Sequence, residues 1–365
     1  MELRSWVRKH LAKMEASGII EKHNGSPFNS PMVLVKKSNG KWRTVSDFRM
    51  LNEKLEDNHF PLPHIKDLLD ELHGSTHFSS IDLRSGFFNI ALTEASKPCT
   101  AFSVEGQTYV YSRLPQGIKI SPAVFQRIMA RVAGDMLRKS ARVYMDDLLL
   151  YDRNSEDALR SIDQILTRFG DAGFKLNPEK CLFGVETISY LGYDISAKGW
   201  KPRVDKVKAI KDFAKPTSVT EIRSFVGMAN FYSSAIPKLQ LDLKPLHQLT
   251  GKKTYSWNDE AQHAFENIKK KLEDTSLLSF YSRNENDTLY LTSDSSNSGW
   301  GCVLSQYQSK KNAEVPLGYA SGSYNTTQTK WPIREQELFA FVSGLRNFDT
   351  YLFGRPFVWR TDNKS

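Results

Sequence analysis

The order of elements that follows Phe78 narrows the possible folds more than any other feature of this chain. "FSSIDL" reads as a short buried strand ending at Asp82, and "SPAVFQRIMARVAGDML" as a helix with Pro122 in its first turn and one apolar face. "ARVYM" and "LLLYD" read as strands on either side of the adjacent pair Asp146 and Asp147. "SEDALRSIDQILTRFGDAGF" gives a second helix, acidic at its start and apolar at Ala158, Ile162, Ile165, Leu166 and Phe169, and "KCLFGVETISYLGYDIS" supplies further strands. The order is β-α-β-β-α-β, the split βαβ arrangement. In that arrangement the first two strands run the same way, and the hairpin after the second lies at their common upper end. Asp82 therefore falls beside the hairpin tip that carries Asp146 and Asp147.

Carboxylates brought together raise one another's pKa or repel, so such a cluster stays anionic only if a cation joins it. Oxygen-only ligation suits hard divalent metals, chiefly Mg²⁺, which completes its shell with waters and substrate phosphates. Two such ions about 3.5–4 Å apart can activate an attacking oxygen and stabilise a leaving one in phosphoryl transfer. An isolated Asp-Asp turn is usually only solvated. A third carboxylate at the matching strand end argues against that reading here.

Composition sets the outer limits. A chain of 365 residues with 40% hydrophobic residues can bury the cores of two or more domains. Fifty Lys and Arg against 41 Asp and Glu leave a formal charge of +9, a modest bias toward polyanions that does not by itself select nucleic acid. Cys99, Cys181 and Cys302 lack the spacing of a zinc site and read as free thiols in a reducing compartment. No apolar run approaches membrane-spanning length, and the first residues mix acids with bases, so a soluble, intracellular protein with no membrane partner is expected.

Upstream, an amphipathic helix is predicted from about Glu2 to Ser17, stopped by Gly18. "MVLVKK" and "WRTVSDF" then form two strands joined by a tight turn at Ser38-Asn39-Gly40, a basic hairpin carrying Lys36, Lys37, Lys41 and Arg43. Taken alone, this is a solvated edge ribbon guarded by lysines.

These residues together carry a resemblance. "YMDD" between apolar strands, "SSIDLRSGFF" before it, "LPQGIKISPAVFQ" between them and "YLGY" after them resemble the motif series of a reverse transcriptase. "SPFNSPMVLVKKSNGKWRTVSDFRMLN", "FPLPHIKDLLDEL" and "EIRSFVGMANFYSSAIPKL" resemble more narrowly the Pol polyprotein of gypsy-type LTR retrotransposons. The Gln-Gly of "LPQG" departs from the Phe-Gly of many gypsy-type elements and looks more retroviral.

The resemblance implies an RNA-directed DNA polymerase that extends a primer on an RNA or DNA template with dNTPs. Asp82, Asp146 and Asp147 would bind two Mg²⁺ ions, with Mn²⁺ as the alternative. Lys37 and Arg43 would hold the incoming triphosphate, Lys36 being able to replace Lys37; such cations suit a transferring phosphoryl group. Phe87 would be the aromatic wall that excludes a ribose 2′-hydroxyl, with Phe88 a core residue. Gln116 and Gly117 match the loop under the nucleotide, with Lys119 nearby, and "YLGY", Tyr190 to Tyr193, resembles the primer grip. A cytoplasmic location, including virus-like particles, and a dimer or a longer Pol polyprotein fit the same resemblance.

Beyond "AKGWKPR" the pattern turns helical. Ser218 and Glu221 have capping-box spacing; Ile222, Phe225, Val226 and Ala229 share one face, as do Ala261, Phe265, Ile268 and Leu272. Lys269, Lys270 and Lys271 are either phosphate contacts or a solvated helix face. The last segment repeats the carboxylate pattern: strands "TLYLTSD", "GWGCVLSQ" and "VPLGYASG", helix "IREQELFAFVSGLRNF" and strand "FVWRTD". It resembles the start of an RNase H domain, whose two-metal site would use Asp294, Glu337 and Asp362, with Glu335 an alternative to Glu337. The family's domain continues past the point where this chain stops, so an incomplete RNase H-like domain is expected and ribonuclease H activity stays open.

The expected fold is α+β: a right-hand polymerase with fingers, βαββαβ palm and helical thumb/connection, then a truncated RNase H-like α/β domain. Fingers and palm are assigned to 1–199, thumb and connection to 200–276, and the RNase H-like domain to 277–365. The competing reading is a degenerate or domesticated retroelement copy that binds nucleic acid without catalysis. A host polymerase of the intron-maturase or telomerase kind is disfavoured by the attached RNase H-like segment.

Overall fold

Helix α1 (Glu2–Ala16) ends where Gly18 takes φ +65°, the left-handed conformation that glycine adopts without steric cost. The computed structural model to which it belongs describes residues 2–36, 40, 42–58, 64–145, 147–251 and 255–362. Lys37, Asp146, most of the Ser38–Gly40 turn and Lys41 lie outside the described residues. The chain divides into two compact units, one of residues 1–64 and 76–185, the other of residues 65–75 and 186–365.

In the first unit, α1 is followed by β1 (Ile20–His23), by the antiparallel pair β2 (Met32–Lys36) and β3 (Trp42–Ser46), and by α2 (Arg49–Lys54). Met32 and Leu34 face inward with Val7, Leu11, Phe48 and Tyr111, while Val33 and Val35 face water, the alternation a half-buried ribbon requires. The short α3 (Ile65–Asp70) belongs to the second unit. Next come β4 (His77–Ile81), β5 (Phe102–Val104), β6 (Gln107–Tyr111), α4 (Ser121–Ala133), β7 (Ala141–Tyr144), β8 (Asp147–Asp152), α5 (Ser155–Asp171) and β9 (Leu182–Val185).

Strands β7, β8, β4 and β9 form one antiparallel sheet in that order, the order the split βαβ arrangement gives. Leu148 and Leu150 of β8 pack with Phe125 and Met129 of α4 and with Ile165 and Phe169 of α5, all nearly or fully buried. Each such side chain contributes about 1.5–3 kcal/mol through burial, which fixes the helices over one sheet face. Asp152 at the end of β8 is buried and accepts the Ser161 hydroxyl at 2.8 Å, tying strand to helix. Asn154 caps α5 by accepting the Asp157 N–H.

The second unit opens with the three-stranded meander β10 (Thr187–Tyr190), β11 (Tyr193–Ser196) and β12 (Gly199–Pro202). "YLGY" is its first turn: Leu191 and Gly192 both have positive φ, +48° and +88°, as a two-residue type I′ hairpin demands. A Cβ at Gly192 would come within 3.0 Å of the Phe231 ring, so the turn needs glycine for space as well as for conformation. Helices α6 (Val204–Lys211), α7 (Val219–Asn230), α8 (Leu239–Thr250) and α9 (Asp259–Glu273) follow.

The apolar faces expected on α7 and α9 are buried as predicted. The capping box forms and extends one residue further. Ser218 accepts the Glu221 N–H, and the Glu221 carboxylate reaches back to the Ser218 N–H and also takes the Thr217 N–H and hydroxyl. Of the lysine triplet, Lys269 donates to Phe213 O and lies over the Phe265 ring, while Lys271 pairs with Asp242 at 2.6 Å. Lys269 and Lys271 therefore hold helices together.

The unit closes with β13 (Leu289–Ser296), β14 (Gly299–Gln308), β15 (Ala313–Ser323), α10 (Ile333–Asn347), α11 (Asp349–Leu352) and β16 (Phe357–Arg360). Their sheet runs β15-β14-β13-β16, with β13 and β16 parallel, so the central strand β13 has α10 packed on it and β16 at its other side.

Candidate active sites

Strand register brings the first carboxylates together. β4 and β8 pair as Ile81 with Leu148, so Asp82, one residue past Ile81, and Asp147, one before Leu148, stand at the same end of adjacent strands. Burial of the Asp147 carboxyl, and then the charge of Asp82, push its pKa above the usual carboxylate value, although the residue as a whole is solvent-exposed. Lys180 lies 3.6 Å from Asp82, a loose surface pair. Asp146 itself is outside the described residues.

The hairpin tip is held from below by a residue that the sequence reading did not single out. Gln126, nearly fully buried on α4, donates from Nε2 to Val143 O at 2.9 Å and accepts the Met145 N–H on Oε1 at 2.5 Å. Met145 has φ +52°, an uncommon value for a side chain of that size, and the Gln126 amide holds its N–H and the Val143 carbonyl that precedes it. The signal was present as the last residue of "LPQGIKISPAVFQ", one position from the buried Phe125.

A cavity of about 660 Å³ opens beside Asp82. Arg43, Arg84, Lys180 and Lys13 line it together with the neutral Gln116 and His10, four cations around one carboxylate. Lys36 instead lies over its cross-strand partner Trp42, 5.9 Å from the ring centre, and Lys37 is not described. Phe87 stacks on Phe125 at 4.8 Å against the palm core, while Phe88 packs, as expected, on a core cluster beside Tyr111 and also lines the cavity.

The loop carrying Gln116 and Gly117 is braced by a second residue that sequence reasoning passed over. Asn52 donates to Gly117 O at 2.9 Å and accepts the Lys119 N–H at 2.8 Å, while Gly117 turns the chain at φ +98°. Lys119 reaches Asp57 at 2.9 Å.

In the second unit Asp294 on β13, Glu337 on α10 and Asp362 just after β16 offer oxygens that all lie within 4.8 Å of one another. Glu337 is 6% exposed; it accepts the Ser295 N–H at 3.1 Å, and its Oε2 is buried without a hydrogen bond of good geometry. Burial, and then Asp362 and Asp294, push its pKa up. A buried carboxylate that is poorly supplied with donors and faces two further carboxylates fits a hard divalent cation. Glu335, the alternative, is exposed on the first turn of α10 and outside the cluster.

"YLGY" belongs to the second unit, where Tyr190 and Tyr193 are buried and Tyr193 packs on Trp200, Phe231 and Tyr232. The three cysteines are free; burial pushes the Cys302 thiol up to about 12, which keeps it protonated. Among the described residues no helix is long and apolar enough to cross a membrane.

Residues 35–195 match the family model for reverse transcriptase (RNA-dependent DNA polymerase), and residues 257–359 match that for the RNase H-like domain found in reverse transcriptase. The chain therefore carries a reverse transcriptase domain followed by an RNase H-like domain of the kind that accompanies it. Its relatives are retrotransposon Pol polyproteins. It is 32% identical over 365 residues to the retrovirus-related Pol polyprotein from transposon 412 of Drosophila melanogaster, covering 98% of this chain and 29% of that one. To the polyprotein from transposon gypsy of the same organism it is 31% identical over 372 residues, covering 97% and 35%. The chain thus spans about a third of the length of these curated relatives.

Solved structures share the fold. The foamy viral protease-reverse transcriptase in complex with dsDNA matches with a TM-score of 0.87 at 24% identity, over 98% of this chain and 74% of that one. The same protein in complex with an RNA/DNA hybrid gives 0.83 at 23%, over 100% and 49%. The right-hand polymerase fold with an RNase H-like domain, expected from the motif order, is the fold found.

Proposed function

We propose that this chain is an RNA-directed DNA polymerase that extends a primer with dNTPs on an RNA or DNA template. The observation that carries this reading is the register that sets Asp82 and Asp147 at one end of adjacent strands beside the cationic cavity. Asp82, Asp146 and Asp147 would hold two divalent ions, Mg²⁺ or alternatively Mn²⁺, whose chemistry is to lower the pKa of the primer 3′-hydroxyl and neutralise the phosphates. The protein's own groups do the positioning. Arg43, with Lys37, would clamp the triphosphate; Gln116 and Gly117 would support the nucleotide from the loop that Asn52 braces; Gln126 fixes the backbone that carries the carboxylates. For sugar discrimination Phe87 keeps the role that the family resemblance implies; it stacks on Phe125, and Phe88 beside it lines the cavity.

Asp294, Glu337 and Asp362 would hold a divalent ion for RNA cleavage in the hybrid product, a second reading supported by their mutual distances and by the burial of Glu337. The binding of dsDNA and of an RNA/DNA hybrid by the foamy viral protein supports template-primer as the partner. The proposed setting is the cytoplasm, within virus-like particles or as part of a longer Pol polyprotein.

The test is dNTP incorporation on poly(rA)/oligo(dT) with Mg²⁺, comparing the parent with Asp82→Asn and Asp147→Asn. Incorporation by the parent and its loss in both variants is the expected result. A parent that binds template-primer yet extends nothing with either Mg²⁺ or Mn²⁺ would favour a non-catalytic binding copy.

A further inference from the structure

The RNase H-like carboxylates already have a cation of their own. Lys238 immediately precedes α8, and its ammonium lies 2.5 Å from Asp294 Oδ2, a direct charge-assisted contact. Lys238 takes φ +56° and ψ +26°, a left-handed backbone that a lysine rarely adopts without support. That support is visible on both sides.

The start of α8 is seated directly on the sheet. Gln240 N–H donates to the Ser321 hydroxyl at 3.1 Å, and the Ser323 hydroxyl donates to Gln240 O at 3.3 Å. A Cβ on Gly299 would come within 2.3 Å of Leu241, and one on Gly301 within 3.2 Å of the Lys238 stem. Two glycines on β14 therefore leave room for the helix start and for the lysine chain that crosses to Asp294. Lys244 adds a longer contact to Ser298 O at 3.4 Å.

We propose that Lys238 is a tethered counter-ion that competes with divalent metal at the Asp294–Glu337–Asp362 cluster. This rests on the reading of that cluster as a metal site. Oδ2 of Asp294 can direct its charge at the ammonium or at a metal, and two cations crowded on one carboxylate repel. A divalent ion drawn in by all three carboxylates must displace the lysine or bind against its charge, so the helix start gates loading of the site. Because both side chains are about half exposed, with 50% and 44% of their surface accessible, the competition is mild.

Divalent binding to the full chain decides the matter, measured as Mn²⁺ bound by electron paramagnetic resonance and as Mg²⁺ heat by calorimetry. The component that disappears in Asp294→Asn is assigned to this cluster, which separates it from the palm carboxylates. Lys238→Met keeps the stem length without the charge and is expected to tighten that component by about 2–5-fold, the range of an exposed ion pair, whereas Lys238→Arg stays near the parent. Thermal melting in EDTA checks that both variants fold. An Asp294-dependent component equal or weaker in Lys238→Met would overturn the proposal while leaving the metal site standing. If no component depends on Asp294 in any variant, the metal-site reading and the proposal fall together.

Discussion

The Gln126 side-chain oxygen accepts the Met145 backbone N–H at 2.5 Å, so one buried amide on α4 sets the conformation of the hairpin tip between β7 and β8. Its Nε2 donates to Val143 O at the same time, leaving no slack at the residue before the aspartate pair. Gln126→Leu would strand the buried Val143 C=O, at about 1–3 kcal/mol, and leave the part-buried Met145 N–H to find water at a smaller cost. Catalysis should fall further than stability suggests, roughly 10–100-fold in kcat, since displacement of reacting groups by about 1 Å is enough for such a loss. Template-primer affinity should hold. Single-nucleotide incorporation together with a filter-binding Kd separates the two, and a kcat within twofold of the parent would remove Gln126 from the positioning role.

Asp147 predicts an opposition between stability and activity. In the metal-free protein its pKa is raised, first by burial and then by Asp82, so the folded state favours its protonated form. The sign follows directly: stability associated with the neutral carboxyl is present below the unfolded pKa and is lost as pH rises through the folded one. Asp147→Asn should therefore raise the metal-free Tm slightly at pH 8, with less effect at pH 4, while abolishing incorporation. Added Mg²⁺ should stabilise the parent more than the variant, because the variant has one carboxylate fewer to neutralise. A variant that melts lower than the parent in EDTA at pH 8 would contradict this account.

Asn52 bridges α2 to the nucleotide loop through both faces of its amide, Gly117 O on one side and Lys119 N–H on the other. Asn52→Ala leaves both loop groups to water, which exposed groups tolerate, so the fold should lose about 1 kcal/mol or less. The loop would no longer be pre-set under the incoming nucleotide. KM for dNTP is expected to rise several-fold, with kcat changing less; a steady-state titration of dTTP on poly(rA)/oligo(dT) measures it.

What the sequence disclosed depended on how local the cause was. The βαββαβ palm was legible because each helix and strand carries its own periodicity, and the convergence of Asp82 on the hairpin followed from topology alone. Glu337 was separable from Glu335 only by the family pattern; the helix then buried one and exposed the other. Gln126 and Asn52 were not legible as braces, because their partners are backbone groups 17 to 67 residues away and leave no spacing signature. The lysine triplet looked like one charged face, yet two of its members turn inward to a carbonyl and a carboxylate that no composition reveals. Lys238 is similar: the sequence does not single it out, and its stem crosses Gly301 to Asp294 because the start of α8 is seated on the sheet.

A buried polar knot in the second unit yields a pH prediction. Tyr351 of α11 donates its hydroxyl to Asp70 of α3, while the Lys66 ammonium lies 4.7 Å from the ring centres of both Phe348 and Tyr351. Burial pushes the Asp70 pKa up to about 6, against the lowering effects of the Tyr351 hydroxyl, the Lys66 charge and the Tyr281 N–H, and with the nearby Asp67 charge adding to the rise. Between the unfolded value near 3.9 and the folded value the native state holds the proton more tightly, so this contribution is full below about pH 4 and lost as pH rises through about 6. Its size is on the order of 3 kcal/mol at most, from about two pKa units at 1.36 kcal/mol each. Asp70→Asn retains an oxygen for Tyr351 and has no proton to lose. On going from pH 5 to pH 8 the parent should lose more stability than Asp70→Asn, the two being compared by urea denaturation of the second unit's transition at each pH. Parallel curves across that window would mean that Asp70 titrates as an ordinary carboxylate and that Lys66 fully compensates its burial.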